Sequence, residues 1–453
     1  MRRKQWGAVL LTAGMLAGVL AGCGSQAGSG LGTDAASDAK GSVYYLNFKP
    51  ESAQVWEEIA KEYTNETGVA VKVVTAAAGT YEQTLKSEVA KRNPPTLFQI
   101  NGPVGYQSWK AYCADLKDTN IYQWLLDDSM AIKDGDGVYG IPFAEEGYGI
   151  IYNDAIMKQY FALADKAVSI SSAEEITSFE MLAAVVEDMT AKKDVLGIEG
   201  VFASTSLKAG EDWRWQTHLA NVPLTREYED TGDYNPAEIS FTYADNYKAI
   251  FDLYLNNSCT EPSMLSSKSV DDSMAEFALG KVAMVQNGNW GWGQISGVDG
   301  NTVADTDVKY LPLFMGLDGE ENQGLCIGTE NYMCVNTKVS EADQAATIAF
   351  MEWLFHTEKG KAYITEDLGF IAPFNTFEED EKPADPLAQE ILKYLADGQA
   401  ENISWNFTTM PSQTWKDNFG ASLLEYAQGT KDWDQVVSDM TADWKAEKAH
   451  AAN

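Results

Sequence analysis

The alternation of apolar and polar positions divides the first hundred residues after the N-terminal segment into short, regular units. Residues 43–48 are a mostly apolar run of strand length and predict a buried strand. After Pro50, Val55, Ile59 and Tyr63 recur at helical spacing across 54–67, and Gly68 supplies the stop. Residues 69–75 alternate as a second strand, and 81–92 form a second amphipathic helix ended by Asn93-Pro94-Pro95. Residues 96–100 are a third strand. This order predicts an α/β domain built on a largely parallel sheet. Ligands of such sheets sit beyond the carboxyl ends of the strands. That places the segments from Asn47 to Glu51 and from Asn101 to Tyr106 at the mouth of a site. Further on, Asp134-Gly135-Asp136-Gly137 precedes an apolar strand and predicts a hairpin turn. A calcium loop would need a glycine at its sixth position and an acid at its end, and neither is present.

The N-terminus has a different pattern. Arg2, Arg3 and Lys4 precede an apolar run over 6–20, short of the roughly 20 residues a membrane span needs. Leu20-Ala21-Gly22-Cys23 follows. The arrangement predicts a secretory signal over 1–22. Its ending resembles the lipobox of bacterial lipoproteins, which implies lipidation (palmitate among the acyl chains) at Cys23. Residues 24–42 are mostly Gly, Ser, Ala and Asp with little to bury, so 23–40 reads as a lipidated, flexible tether.

Charge narrows the partners. The chain has 67 acidic and 33 basic residues, a net charge of −34. Loss of the three basic residues of the signal leaves 30 against 67, or −37. Nucleic acid and anionic membrane surfaces are poor partners for such a chain, which leaves the lipid anchor as its one membrane contact. A hydrophobic content of 45% argues against disorder. Cys113, Cys259, Cys326 and Cys334 form no CxxC pair, and the three histidines stand alone, so neither a metal nor another cofactor is predicted. The thiols read as buried and inert, with disulfides left open.

Longer segments carry a resemblance. Tyr139-Gly140-Ile141-Pro142, a polar kink, and then Ile150-Ile151-Tyr152-Asn153-Asp154 form the first. Residues 277–292, from Phe277-Ala278-Leu279-Gly280-Lys281 to Asn289-Trp290-Gly291-Trp292, form the second. Tyr332-Met333-Cys334-Val335-Asn336-Thr337 follows, then Ala345, Ala346, Phe350, Trp353, Leu354 and Gly360, and finally Thr409-Met410-Pro411. In this order, over nearly all of residues 43–447, the chain resembles the family 1 extracellular solute-binding proteins, the maltose-binding group. The resemblance implies an α/β, two-lobed, type II periplasmic-binding-protein-like fold, each lobe a mostly parallel sheet flanked by helices. Lobe one is expected over 41–146 and 312–372, and lobe two over 147–311 and 373–453, hinged by the crossing segments. It also implies a monomeric substrate-binding lipoprotein on the outer face of the cell membrane. Its partners would be a sugar or short oligosaccharide and the permease subunits of an ABC importer.

Sugars need aromatic platforms for their C–H faces and polar groups for their hydroxyls. Most of the 13 tryptophans and 21 tyrosines belong in the core, and those in glycine-rich loops are the candidates. Trp290 and Trp292 lie in such a loop, and the resemblance implies that Trp290 stacks on sugar. It likewise implies a sugar-binding role for Glu146, six residues before Tyr152. Glu145 is adjacent but points the other way if the segment is extended. Trp213 or Trp215 is expected as a further platform beside Glu211 and Asp212, and Trp405 and Trp415 flank the Met410-Pro411 segment. Strand-end geometry adds Asn47, Glu51, Asn101 and Tyr106. The acidic surroundings disfavour anionic ligands unless an arginine such as Arg214 intervenes, and leave a cationic solute (an amino sugar or polyamine) as the alternative to a neutral sugar. A glycosidase would need paired acids facing one cleft, and no G-x-S-x-G, HExxH or P-loop motif is present, so no enzyme is predicted. A surface adhesin is the remaining class.

Overall fold

Strand Ser42–Asn47 lies between two parallel neighbours, Ala70–Thr75 and Leu97–Asn101. Strand Asn331–Val335 joins antiparallel to Leu97–Asn101, and Gly137–Pro142 and Ile132–Asp134 complete this six-stranded sheet as the expected hairpin. The computed structural model describes residues 40–451, so the signal segment, the tether before residue 40 and Cys23 lie outside the described residues. The strands are apolar almost throughout because the sheet is covered on both faces. Tyr45 and Leu97 enter one core, and Leu46 and Phe98 the other. Helix Ala53–Thr67 buries Trp56, Ile59, Ala60 and Tyr63. Gly68 ends it in the left-handed conformation at φ +73°, its amide donating to the Thr64 carbonyl.

A second six-stranded sheet is organised around Glu146–Asn153. This strand is antiparallel to each neighbour: Val282–Gly288, Val308–Leu311 and Gln323–Gly328. Gly200–Phe202 and Glu401–Ser404 extend the two sides in parallel with their neighbours, so only the central strand runs against the rest. Ile150 and Tyr152 face one core, Ile151 the other. Asn153 ends the strand and caps helix Asp154–Phe161, its side chain accepting from the amides of Ala155 and Ile156.

The chain passes from the first sheet to the second between Pro142 and Glu146. The expected return at 309–314 is corrected. Gln323–Gly328 hydrogen-bonds to the start of Glu146–Asn153, whose other end is already paired with Val308–Leu311. The return to the first sheet therefore lies at residues 329–330, between Gln323–Gly328 and Asn331–Val335. A last passage separates Phe374, packed in the first core, from Leu387, packed in the second. The four cysteines after Cys23 are unbridged, with Cys113, Cys326 and Cys334 buried and Cys259 partly so. Among the described residues no helix is long and apolar enough to cross a membrane.

Candidate ligand-binding cleft

Between the two sheets lies a cleft of about 400 Å³, within the size range of small-molecule sites. Phe48, Lys49, Glu51 and Asn101 enter it from the strand ends of the first sheet. Glu146, Trp213, Trp290 and Trp405 enter from the second. Glu330 reaches it from the return crossing, and Lys416 from helix Gln413–Ala427.

Three tryptophans shape one wall. The Trp290 ring centroid lies 6.0 Å from that of Trp213 and 6.2 Å from that of Trp405, the latter pair nearly perpendicular. Glycine makes these positions possible. A Cβ on Gly288 would lie 2.1 Å from the Trp290 ring, and one on Gly328 would lie 2.8 Å from that of Trp405. Asn289 ties the Trp290 loop to the central strand by accepting from the Gly147 amide at 2.9 Å. Between the rings sits His218, stacked on Tyr148 at 4.3 Å and 12°. Burial, with Lys416, Arg214 and Lys49 adding to it, holds the His218 pKa well below the usual value, so the imidazole is neutral.

Charges meet beside this wall. Lys49 Nζ donates to Glu146 Oε1 at 2.7 Å and lies 3.8 Å from Glu51 and 5.4 Å from the Trp290 ring centroid. Burial disfavours the Lys49 charge, but Glu146, Glu51 and Glu330 outweigh it and raise its pKa. Burial likewise raises the Glu51 and Glu330 pKa values, against the opposing pull of Lys49 and, for Glu330, of Lys416. Asn101 donates to Glu330 at 3.0 Å. Asn47 holds the lysine loop: its side chain donates to the Lys49 carbonyl at 2.7 Å and accepts from the Lys49 amide.

Of the residues singled out in the sequence, Trp290, Glu146, Trp213, Glu51, Asn101 and Trp405 line the cleft, as does Glu211. The others are corrected. Trp215 is buried against Phe251 and Tyr254 and donates from Nε1 to the Ser206 carbonyl. Trp415 packs edge-on against Trp444 and donates to the Met440 carbonyl. Tyr106 stacks on Tyr139 and donates to Asp134. Trp292 packs over the core that holds Met274 and Ile295. Asn47 is fully enclosed, acting on Lys49. Glu145 pairs its backbone with Ile371 and turns away from the cleft, where burial raises its pKa. Arg214 is buried too, donating to the Gln286 carbonyl and to Ser273 and Ser206, so it offers no charge to an anion.

Lys49, Glu330, Gln216, His218 and Lys416 line the cleft without having been singled out. Lys49 was within reach of sequence reasoning, since it falls inside the strand-end segment from Asn47 to Glu51. The others depend on how a crossing and two helices are placed, which no local pattern records.

The chain matches the bacterial extracellular solute-binding protein family over residues 58–393. A search of curated protein sequences returned no match. Among solved structures, a chitin oligosaccharide binding protein superposes with a TM-score of 0.71 at 18% identity, covering 90% of this chain and 98% of that one. The solute-binding protein RafE in complex with raffinose gives 0.69 at 18% identity, with 90% and 99% covered. Maltose-bound MalE3 of T. maritima gives 0.64 at 13% identity, with 89% and 99% covered. These likenesses share the arrangement of two helix-flanked sheets. With a family match spanning most of its length, this chain belongs to the bacterial extracellular solute-binding proteins, exported proteins that bind their solutes.

Proposed function

We propose that the protein captures an uncharged sugar or short oligosaccharide in the cleft and delivers it to the permease of an ABC importer. The observation that carries this reading is the wall of Trp213, Trp290 and Trp405 facing hydrogen-bonding groups across a cleft of about 400 Å³. Flat indole faces suit the C–H faces of pyranose rings, and carboxylates and amides suit their hydroxyls. The names of the superposed proteins, which bind chitin oligosaccharide, raffinose and maltose, support it. In this reading the two sheets belong to two lobes that close on the ligand, the chain works as a monomer, and it releases the sugar unaltered. It is held at the membrane by lipid on Cys23, and Cys23→Ala would lose fatty-acid labelling and leave the membrane fraction.

A thermal-shift screen with neutral mono- and oligosaccharides tests the reading. A saccharide at 100 times its dissociation constant stabilises the protein by about 2.7 kcal/mol, a readily measured rise in melting temperature. Chromatography of the same mixtures should recover the saccharide intact. Stabilisation by amino acids or polyamines and by no saccharide would refute the proposal.

A further inference from the structure

Residues Arg214–Leu219 form a turn of π-helix that leads directly into helix Ala220–Thr231. Such wide turns recur at functional sites because the extra residue re-aims the side chains around it. Here Arg214 and Trp215 go to the core, while Gln216, Thr217 and His218 line the cleft beside Trp213. Two atoms of this wall are buried without a hydrogen-bond partner among the described residues: Gln216 Oε1 and Trp405 Nε1. Neither His218 ring nitrogen has a partner among those residues either, its ring being held by stacking on Tyr148. Buried polar atoms of folded proteins are nearly always satisfied, so two exceptions in one wall, beside an unpartnered imidazole, require an explanation.

The charged groups of the cleft differ. Lys49 answers Glu146 and Glu51, Lys208 answers Glu211, Asn101 answers Glu330, and Gln294 answers Asp271. Lys416 offsets Glu330, and the other groups left unanswered are uncharged: an amide oxygen, an indole N–H and an imidazole. We propose that Gln216, His218 and Trp405 are the specificity-determining pole of the cleft, reading the hydroxyls of an uncharged ring that lies among Trp213 and Trp290. Ring hydroxyls can donate to Gln216 Oε1 and accept from Trp405 Nε1, and neutral imidazole offers one donor and one acceptor. None of these three groups carries a charge that would hold an ion, and the one nearby cation, Lys416, also acts on Glu330. The inference rests on the saccharide reading and adds which residues choose among solutes.

The protein has three histidines, so ¹⁵N-imidazole spectra of the full chain are simple, and His218→Phe assigns the His218 signals. Raffinose, maltotriose and chitotriose serve as neutral probes, glucosamine and spermidine as cationic ones, and glucuronate as the anionic one. Binding is read by calorimetry. The expected result is that a neutral probe binds and shifts the His218 signals. Gln216→Leu and His218→Phe then weaken that probe more than tenfold while the unliganded melting temperature stays within a few degrees. If either variant fails to fold, the shift in the unmodified protein still decides. A neutral probe that binds without moving the His218 signals, and binds Gln216→Leu within twofold of the parent, overturns the proposal and leaves the saccharide reading standing. Binding of charged probes alone, or of no probe, overturns both.

Discussion

Trp290 owes its position to the residue two places before it. Any side chain at 288 would occupy the space of the indole, since even a Cβ would lie 2.1 Å from the ring. Two substitutions therefore separate stacking from packing. Trp290→Ala should weaken saccharide binding by about 1–3 kcal/mol, the range for aromatic stacking on flat rings. Gly288→Ala should lose a similar amount with the tryptophan still present, because the ring is pushed out of line. Isothermal titration with the best saccharide measures both, and unchanged affinity in Trp290→Ala would remove the ring from the ligand's path. Residue by residue, the sequence was legible where a short segment fixes its own shape, as at Trp290 and Glu146. It left the choice open where neighbours in sequence part company in space. Trp213 and Trp215 are two residues apart, and one lines the cleft while the other donates to the Ser206 carbonyl inside the core.

At the scale of elements, residues two apart on a helical turn point to opposite sides, and the π turn at Arg214–Leu219 then sets which of the following side chains reach the cleft. A helix-period reading assigns faces at 3.6 residues per turn and cannot anticipate an inserted residue. The strands and first helices of the first sheet were legible to within a few residues because their apolar runs are bounded by proline and glycine. The return crossing was not, because Val308–Leu311 and Gln323–Gly328 are both apolar strands and only pairing tells which sheet owns each. Asp212, just ahead of the π turn, is buried, and burial raises its pKa to about 6. The folded protein thus keeps this proton at pH values where the unfolded chain, with its carboxyl near 3.8, has lost it. The native state binds more protons between about pH 4 and 6, so this group's contribution to stability falls as pH rises through that window. Asp212→Asn removes the charge. It should be more stable than the parent by about 1–2 kcal/mol at pH 7.5 and lose that advantage by pH 4.5. Chemical denaturation at the two pH values measures the difference, and an equal advantage at both would disprove the titration.

On the scale of the whole molecule, the two sheets face each other across a cleft whose rims touch at two glycines. Gly79 and Gly210, at φ +69° and +81°, approach so closely that a Cβ on Gly79 would lie 2.7 Å from the Gly210 Cα. Gly79 has no room for a side chain at this contact. The acidic character legible in the composition persists in the cleft, where Glu51, Glu146, Glu330, Glu211 and Asp271 outnumber Lys49 and Lys416. Their mutual pairing, and not their number, is what favours an uncharged solute, and pairing across 97 residues between Lys49 and Glu146 is invisible in sequence. The direct test of this account is the salt dependence of binding. Calorimetric titration of the tightest-binding saccharide should give dissociation constants that agree within about threefold between low ionic strength and 0.5 M salt, because an uncharged ligand gains nothing from long-range attraction that salt could screen. A loss of affinity greater than about tenfold over that range would mean that the bound solute is a cation held by the carboxylates, and would contradict the account.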